Sequence, residues 1–452
     1  MSKNSVDLGN DSVGKLLLKL SVPAITAQII NALYNIVDRM YIGNMAENGD
    51  LALTGLGLCF PIIIIITAFA SLMAQGAAPI AGIHMGKGDN DKAENIMGNS
   101  FVLLVITAIL ITVVFQIFRE PLLYLMGASE NTIGYASDYL RVYLWGTLPV
   151  LITLGMNMFV NTQGFSKVGM KTVLIGAVSN IILDPIFIYV FDMGVEGAGY
   201  ATIISQAISA LWVMKFLFGK KTILRLKKKY FKLKKEFIVP ALSLGISPFV
   251  MMSTESLISI VLNTSLQRTG GDIAVGAMTI LSSIMQFVSL PLQGLGQGAQ
   301  PIISYNFGAK KYSRVKDTFR FFIITSVSMT IVVWFATMFG APAIARIFTK
   351  SEELIKFTVP SMRTYFFMVI AMGVQMSCQQ TFLATGQAKI SLFLALLRKV
   401  ILLAPLVILF SYIWGESGVF VAEPVSDLTA ATVTFIMFMR NRHYIFEGTK
   451  RK

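Results

Sequence analysis

The chain consists largely of long apolar runs separated by short polar stretches. Of its 452 residues, 55% are hydrophobic and only 14% are charged, whereas a soluble domain is typically about 25% charged. A helix needs about 20 apolar residues to cross a bilayer. In lipid, only helices and closed barrels satisfy every backbone polar group. Because the runs have helical length, we predict an all-α membrane protein embedded in a lipid bilayer.

Twelve helices are predicted from the positions of these runs, and their boundaries are approximate. They cover residues 14–43, 51–84, 95–118, 132–161, 170–191, 197–219, 237–267, 273–306, 318–340, 354–384, 391–413 and 419–440.

Lysine and arginine concentrate in the loops that follow even-numbered helices. The richest is the segment 220–235, which holds nine of them. By the positive-inside rule, both termini and this central linker are expected to be cytoplasmic. The basic residues that give the net charge of +14 therefore indicate how the chain is oriented in the membrane, and they do not indicate a nucleic-acid partner. We expect the linker to act as a stop and a hinge, and it could also contact anionic lipid head groups.

An internal repeat relates the two halves of the chain. A shift of 222 residues aligns QGAAPI at 75–80 with QGAQPI at 297–302, and Gly164 with Gly386. Each half has an even number of helices, so both enter the membrane in the same orientation. We predict two pseudo-two-fold-related six-helix bundles around a central cleft. The predicted division is an amino-terminal lobe 1–219, a basic linker 220–236, a carboxyl-terminal lobe 237–441 and a basic tail 442–452.

The first helix carries Pro23 near its start and a carboxylate, Asp38, far inside. Such an acid costs roughly 2.5–3.5 kcal/mol at the centre of a membrane helix, so it usually faces a cavity or a partner. Spacings of three or four residues place several polar side chains on the Asp38 face, which we predict to line an aqueous cleft. Alternatively, the amides only hydrogen-bond neighbouring helices. The polar residues between Pro23 and Asp38 are Gln28, Asn31, Tyr34 and Asn35.

A second acid, Asp184, lies in helix 5, four residues after Asn180 and directly before Pro185, which should bend the helix. Together with Asp38 and with Thr202 of helix 6, these side chains offer the oxygen ligands that Na⁺ requires. The alternative occupant is a proton, because two nearby carboxylates in a low dielectric do not easily both stay ionised. Asp184 could instead pair locally beside the proline kink.

Further polar side chains inside apolar runs are candidates for a substrate cavity. Asn157 and Asn161 share a face of helix 4, and the repeat places Gln379 at the position of Asn157. Helix 6 adds Gln206, and helix 7 contains Glu255, a third buried acid, shortly after a bending point at Pro248. At an offset of 225, Pro23 aligns with Pro248 and Asp38 with Asn263, so the halves differ in their ionisable residues. The 24 methionines include flexible side chains suited to varied apolar ligands.

Signals for an enzyme are weak. The sequence has no G-x-x-x-x-G-K-[ST] loop, no H-E-x-x-H, no C-x-x-C and no serine elbow. Two cysteines and two histidines do not suggest a disulfide framework or a histidine metal site. We therefore expect neither an enzyme nor a cofactor, apart from a coupling ion.

The chain resembles the multidrug and toxic compound extrusion (MATE) family over roughly residues 15–440. The resemblance rests on Pro23 with Asp38, the QGAAPI and QGAQPI segments, the Gly164 and Gly386 turns, and NIILDP in helix 5. It is closest to the bacterial branch with its cation site in the amino-terminal half. That branch implies binding of Na⁺ or H⁺ at Asp38, Asn180, Asp184 and Thr202, coupled to export of amphipathic, often cationic compounds.

Other branches of the family use an acid on helix 7, and Glu255 lies at about that position. A second acid expected on helix 10 is missing, since Gln375, Gln379 and Gln380 occupy the region. This departure weakens the case for a Na⁺ site in the carboxyl-terminal half.

The resulting hypothesis is a monomeric antiporter of a bacterial-type cell membrane that works by alternating access. A lipid-linked precursor flippase of the same superfamily is the alternative. It would need a groove lined by cations for pyrophosphate, and a membrane-embedded enzyme or sensor would leave the repeat unexplained. The deep cationic candidates are Arg141, Arg363, Arg398 and Lys399.

Overall fold

The computed structural model describes residues 6–45 and 49–449. The first five residues, the middle of the loop 43–50 and the last three residues of the predicted tail lie outside these ranges. All regular secondary structure within them is helical. The predicted all-α class is therefore confirmed.

Within the described residues, eight helices are long and apolar enough to cross a bilayer, and two bent helix pairs bring the number to ten. Because the two longest segments are each divided at a glycine, twelve spans are numbered here in chain order. Spans 1 to 6 are Val13–Gly43, Gly49–Gly86, Asn90–Ile117, Ile133–Trp145 with Thr147–Thr162, Ser166–Val190 and Gly194–Phe218. Spans 7 and 8 form Lys235–Gly308, divided at Gly271, and spans 9 and 10 are Tyr312–Phe339 and Glu352–Tyr365 with Val369–Ala384. Spans 11 and 12 form Ala388–Glu447, divided at Gly415.

The two longest helical segments each contain one chain reversal, the first at Gly271 and the second at Gly415. Gly271 and Gly415 both have a φ angle of 62°. Only glycine adopts this region without steric cost, so each glycine allows the chain to turn back into the membrane. Short helices, Arg119–Leu125 and Ala341–Phe348, follow spans 3 and 9 in the same way in both halves.

The bends of the spans also repeat between the halves. Span 4 bends by 57° between its two helices, and span 10 by 45°. Span 5 ends in a π-helical turn, Ile186–Val190, and span 11 contains another, Leu397–Leu403. Such turns frequently lie at functional sites. The halves are thus two copies of one six-helix arrangement, as the repeat predicts.

Glycines allow the two lobes to touch where spans 1 and 8 cross. A Cβ atom at Gly294 would lie 2.6 Å from Ile25 Cα, and one at Gly298 would overlap Ser21. Span 2 meets span 7 in the same manner, because Gly76 packs directly on the backbone of Ala241. Gly76 and Gly298 are equivalent in the repeat. Any side chain at these positions would push the lobes apart.

The amino-terminal segment contacts both lobes on the side of the molecule where these glycine contacts lie. The Leu8 carbonyl accepts hydrogen bonds from Asn306 at 2.8 Å and Arg314 at 3.2 Å, both in the carboxyl-terminal half. The Leu8 side chain packs on Gly164 of the amino-terminal half. Farther along span 1, Ile29 and Leu33 are exposed. The lobes are therefore closed on the side that carries the linker.

The linker is bound to the amino-terminal lobe, which corrects the expectation of a simple stop and hinge. Gln163 Oε1 accepts three hydrogen bonds from it, from Thr222 Oγ1 at 2.7 Å, Ile223 N at 2.9 Å and Leu224 N at 2.7 Å. Glu94 at the start of span 3 accepts from the backbone of Arg225 at 2.9 Å. These contacts anchor the linker along the end of the lobe.

Candidate functional site

Three spans of the amino-terminal lobe bring the four predicted cation ligands together. Asp38 lies on span 1, Asn180 and Asp184 lie one turn apart on span 5, and Thr202 lies on span 6. Asn180 Nδ2 donates to Asp184 Oδ1 at 3.0 Å and to Thr202 Oγ1 at 3.5 Å. The carboxyl groups of Asp38 and Asp184 are close enough to interact directly. Two acids thus share one site with two neutral oxygen donors.

The site is almost closed to solvent. Asp38 is 9% exposed, Asn180 2% and Asp184 0%. Among the described residues, Asp38 Oδ1, Asn180 Oδ1 and Asp184 Oδ2 have no hydrogen-bond donor. A buried polar atom without a partner costs about 1–3 kcal/mol. The arrangement therefore fits a bound cation or a shared proton, either of which would satisfy these oxygens.

The composition of the site suits a hard cation or a proton. The described part of the chain contains no group of three or more His, Cys, Asp or Glu side chains arranged to hold a metal. The two carboxylates, the amide and the hydroxyl together form a hard oxygen site that both Na⁺ and H⁺ fit.

The position of Asp184 follows from the local sequence. Pro185 has no N–H group to continue the helical hydrogen bonds, and the α-helix passes into the π-helical turn at this residue. The spacing of four residues places Asn180 and Asp184 on the same helical face.

Tyrosines surround the acid pair, and two of them were not predicted. Tyr34 lies near both acids, and Tyr139 of span 4 lies near Asp38. Tyr139 and Tyr143 are buried and stacked, with ring centroids 6.0 Å apart. Tyr139 and Tyr143 are four residues apart and therefore share one helical face. This spacing is the sequence signal that could have identified them. The tyrosine group encloses the acids in a largely apolar shell with a few hydroxyl groups.

The other polar residues of span 1 differ in their exposure. Gln28 and Tyr34 are half-buried, whereas Asn31 and Asn35 are exposed. Asn35 Nδ2 donates to the carbonyl of Asn31 at 2.6 Å, within the span itself. Pro23 is buried on the linker side of the span. The polar face of span 1 therefore runs from exposed amides to the buried Asp38.

Two amides predicted to line a substrate cavity hold neighbouring spans together. Asn157 Nδ2 donates to the carbonyl of Gly169 at 3.3 Å, and Gln379 Nε2 donates to the carbonyl of Ser391 at 2.9 Å. Gly169 and Ser391 are equivalent in the repeat. These contacts link neighbouring spans in both lobes, and Gln379 also lines the cavity described below. The two remaining polar candidates of the amino-terminal lobe are half-buried, namely Asn161 and Gln206.

Glu255 lies apart from the acid pair, in the carboxyl-terminal lobe. The prediction of a buried acid is wrong, because the Glu255 side chain is 59% exposed and pairs with Lys399 Nζ at 3.2 Å. It borders a cavity of about 470 Å³ between spans 7, 10 and 11. Pro248 is buried on the same span. The cavity is lined by Met251, Glu255, Met372, Gln375, Met376, Gln379, Leu394, Ala395, Arg398 and Lys399.

Comparisons with known proteins agree with this geometry. The MatE family model matches residues 23–186 and again residues 248–410, once in each lobe. The chain is 24% identical to Multidrug export protein MepA of Staphylococcus haemolyticus, and the match covers 95% of each chain. It is 26% identical to the protein of the same name from Staphylococcus saprophyticus, with 94% of each chain covered.

A solved structure shares the fold. It is described as the outward-facing conformation of a multidrug resistance MATE family transporter of the MOP superfamily. The superposition gives a TM-score of 0.90 at 24% identity and covers 99% of this chain and 100% of that one. The double match of the family model, the twelve-span fold and the repeat lead to one conclusion. This chain belongs to the MatE family, and it is a multi-pass membrane transporter rather than an enzyme.

Proposed function

We propose that this transporter exports amphipathic, often cationic drugs in exchange for Na⁺ or H⁺, by alternating access. The observation that carries the proposal is the buried acid pair Asp38–Asp184, with carboxyl oxygens that lack a donor. The names of its staphylococcal relatives, multidrug export proteins, support the same cargo class.

Electrostatic repulsion makes the acid pair an exchange site. Two unit negative charges about 4 Å apart repel by about 4 kcal/mol at an effective dielectric constant of 20. A proton or a Na⁺ ion removes this repulsion and lets span 1 rest against span 5. When the cation leaves, the repulsion returns and favours separation of the two spans. The cation can shift the transporter only by its differential affinity for the two states.

Bending of span 1 is the motion that links the cation to the cargo. Pro23 removes one hydrogen bond of the helix near the linker-side contact between the lobes. A tilt at Pro23 would move the far half of the span, which carries Asn31 and Asn35, relative to Asp184. Cation binding and the shape of the cleft are thereby connected.

The cargo is proposed to enter the cleft and the adjoining cavity of the carboxyl-terminal lobe. Glu255 offers a carboxylate there, which a cationic cargo would contact in place of Lys399. Met251, Met372 and Met376 offer adaptable apolar contacts. A cationic amphipathic compound would place its charge near Glu255 and its apolar part on the methionines. Such surfaces can repack around varied ligands.

The proposed orientation places the linker and both termini in the cytoplasm of a bacterial cell, with the protein acting as a monomer. The cationic linker supports this assignment through the positive-inside rule. Because the lobes are closed on the linker side, the described state would then be outward-facing.

The flippase alternative is less well supported. Arg141 pairs with Glu196, and Arg398 pairs with two acids. Arg363 donates to the carbonyl of Met338 at 3.0 Å, and Lys399 pairs with Glu255. Arg141 and Arg363 are exposed, so the prediction that they lie deep is wrong, and each of the four cations already has a partner.

The decisive experiment replaces Asp38 by asparagine in proteoliposomes loaded with a fluorescent cation. We expect Asp38→Asn to insert normally but to lose efflux driven by a Na⁺ gradient alone or by a pH gradient alone. Asp50→Asn, which alters an exposed acid at the start of span 2, is the matched control and should retain efflux. Full gradient-driven efflux by Asp38→Asn would exclude Asp38 from the coupling mechanism.

A further inference from the structure

A second group of buried charges lies in the carboxyl-terminal lobe. Arg398 of span 11 donates through Nε to Asp427 Oδ1 at 2.7 Å and through Nη2 to Glu423 Oε1 at 3.3 Å. Both acids belong to span 12 and are 2% exposed. The candidate cation site of the amino-terminal lobe uses none of these three residues.

The repeat places this group at the counterpart of the cation site. Spans 6 and 12 align at an offset of 221, which matches Gly197 with Gly418 and Ser205 with Ser426. The same offset places Glu423 at the position of Thr202 and Asp427 at that of Gln206. The two lobes therefore put their ionisable groups on different spans of the same framework.

A tyrosine strengthens this equivalence. Tyr365 of span 10 is buried near Glu423 and Asp427. It is equivalent to Tyr143, which belongs to the tyrosine group around the acid pair of the amino-terminal lobe.

The charges of this group do not balance. The groups that face Glu423 are Asp427 on its own span, Arg398 and Lys399 on span 11, Glu255 on span 7 and Tyr365 on span 10. The Lys399 ammonium is paired with Glu255. One guanidinium is therefore left for two carboxyl groups.

Arg398 contacts the two acids at different distances. Its shorter contact is with Asp427, whereas Glu423 Oε2 is buried and has no donor among the described residues. An uncompensated buried charge is costly, so one of the two acids should be neutralised by other means. The geometry identifies Glu423 as that acid.

We propose that Glu423 is a second proton-carrying carboxyl group of the transporter, while Arg398 neutralises Asp427 in place of a bound cation. Arg398 lines the 470 Å³ cavity and contacts Glu423, so this group adjoins the cargo side. Arg398 is a positioning residue in this scheme. The inference rests on the proposed antiport and adds a proton to the ions exchanged for each cargo molecule.

Carbodiimide labelling tests the proposal without relying on transport. Dicyclohexylcarbodiimide reacts with protonated buried carboxyl groups, as the carboxyl proton moves to nitrogen while the carboxyl oxygen bonds to the central carbon. With the full-length protein in nanodiscs, peptide mass spectrometry should find label on Glu423 and none on Asp427. Arg398→Gln should add label to Asp427, and Arg398→Lys should not. Unlabelled Glu423 in the unmodified protein, or equal labelling of both acids, would overturn the proposal.

The number of cations exchanged per cargo molecule tests the role of Glu423 separately from the proposed function. In proteoliposomes, the reversal potential of cargo flux gives the number of cations exchanged per cargo molecule. We expect Glu423→Gln, which can still bond Arg398, to keep Asp38-dependent efflux but to lose one proton per cargo molecule. An unchanged ratio would refute the role of Glu423 and leave the antiport intact. Efflux that Asp38→Asn carries out with no dependence on either cation gradient would instead refute the antiport mechanism.

Discussion

Asn180 connects the two kinds of oxygen donor at the candidate cation site. Its amide hydrogens contact a carboxylate one turn away on the same span and a hydroxyl on the next span. A hydrogen bond to an ionised group contributes about 1.5–3 kcal/mol. Asn180 therefore stabilises Asp184 in its charged form and holds it toward Asp38. At this scale, the function depends on a small number of donors inside an apolar shell.

Replacement of Asn180 should alter the cation dependence of transport. We expect Asn180→Ala to raise the half-saturating Na⁺ concentration about tenfold, since 1.4 kcal/mol corresponds to tenfold in affinity. If the coupling ion is a proton, Asp184 should hold it more tightly, and the pH dependence of efflux should move to higher pH. Efflux from proteoliposomes, driven first by a Na⁺ gradient and then by a pH gradient, measures this cation dependence. Ser179→Ala, one residue away, is the control. Identical cation dependence in the two variants would contradict the role assigned to Asn180.

At the scale of elements, the linker is a structural part of the amino-terminal lobe. A run of lysines would be expected to extend into water, yet Gln163 and Glu94 provide acceptors for its backbone. Lys227 also pairs with Glu94 at 2.5 Å. The linker thus follows its lobe and leaves the other lobe free to move against it.

Loss of the Gln163 acceptor should release the linker. We expect Gln163→Ala to expose the lysines of 220–235 to trypsin and to increase the cleavage rate about tenfold, since an unsatisfied buried group costs about 1–3 kcal/mol. Gln163→Glu keeps the acceptor oxygens and should retain protection. The measurement is limited trypsin digestion in nanodiscs, with the linker cut followed by mass. Equal cleavage of Gln163→Ala and the unmodified protein would show that the acceptor does not anchor the linker.

At the scale of the whole molecule, the lobes meet through backbone contacts that only glycine permits. The contact between spans 1 and 8 and the contact between spans 2 and 7 lie on the linker side. The amino-terminal segment joins both lobes on that side as well. An opposite-facing state requires all of these contacts to separate. In the proposed alternating-access cycle, the stability of this closed side would set the balance between the two states.

A methyl group at the crossing should shift that balance. In Gly294→Ala, the new Cβ would lie 2.6 Å from Ile25 Cα, and overpacking of this kind typically costs about 1–3 kcal/mol. We expect faster hydrogen exchange in the linker-side halves of spans 1 and 8, measured by mass spectrometry in nanodiscs. Gly57→Ala is the control, since its Cβ would have nothing within 4 Å. Unchanged exchange in Gly294→Ala would mean that the crossing does not limit opening.

Much of the fold could be predicted because it depends on local or repeated features. Apolar run length predicts the spans, and one constant offset predicts the two lobes. Gly271 and Gly415 end spans as turn residues should. Contacts between spans that are far apart in the sequence could not be predicted in the same way. The sequence placed Glu255 inside an apolar run, but its pairing with Lys399 depends on how spans 7 and 11 cross.

The amino-acid sequence alone determined the all-helical class and the twofold plan, and it predicts which acids exchange a cation. These properties follow from hydrophobic length, helical periodicity and the cost of a charge in lipid. Only the tertiary structure decided which acids meet, which arginine neutralises which carboxylate, and on which side the lobes close. The physical reason is that hydrogen bonds and ion pairs act over a few ångströms. Their partners are therefore set by the packing of spans that lie hundreds of residues apart in the chain.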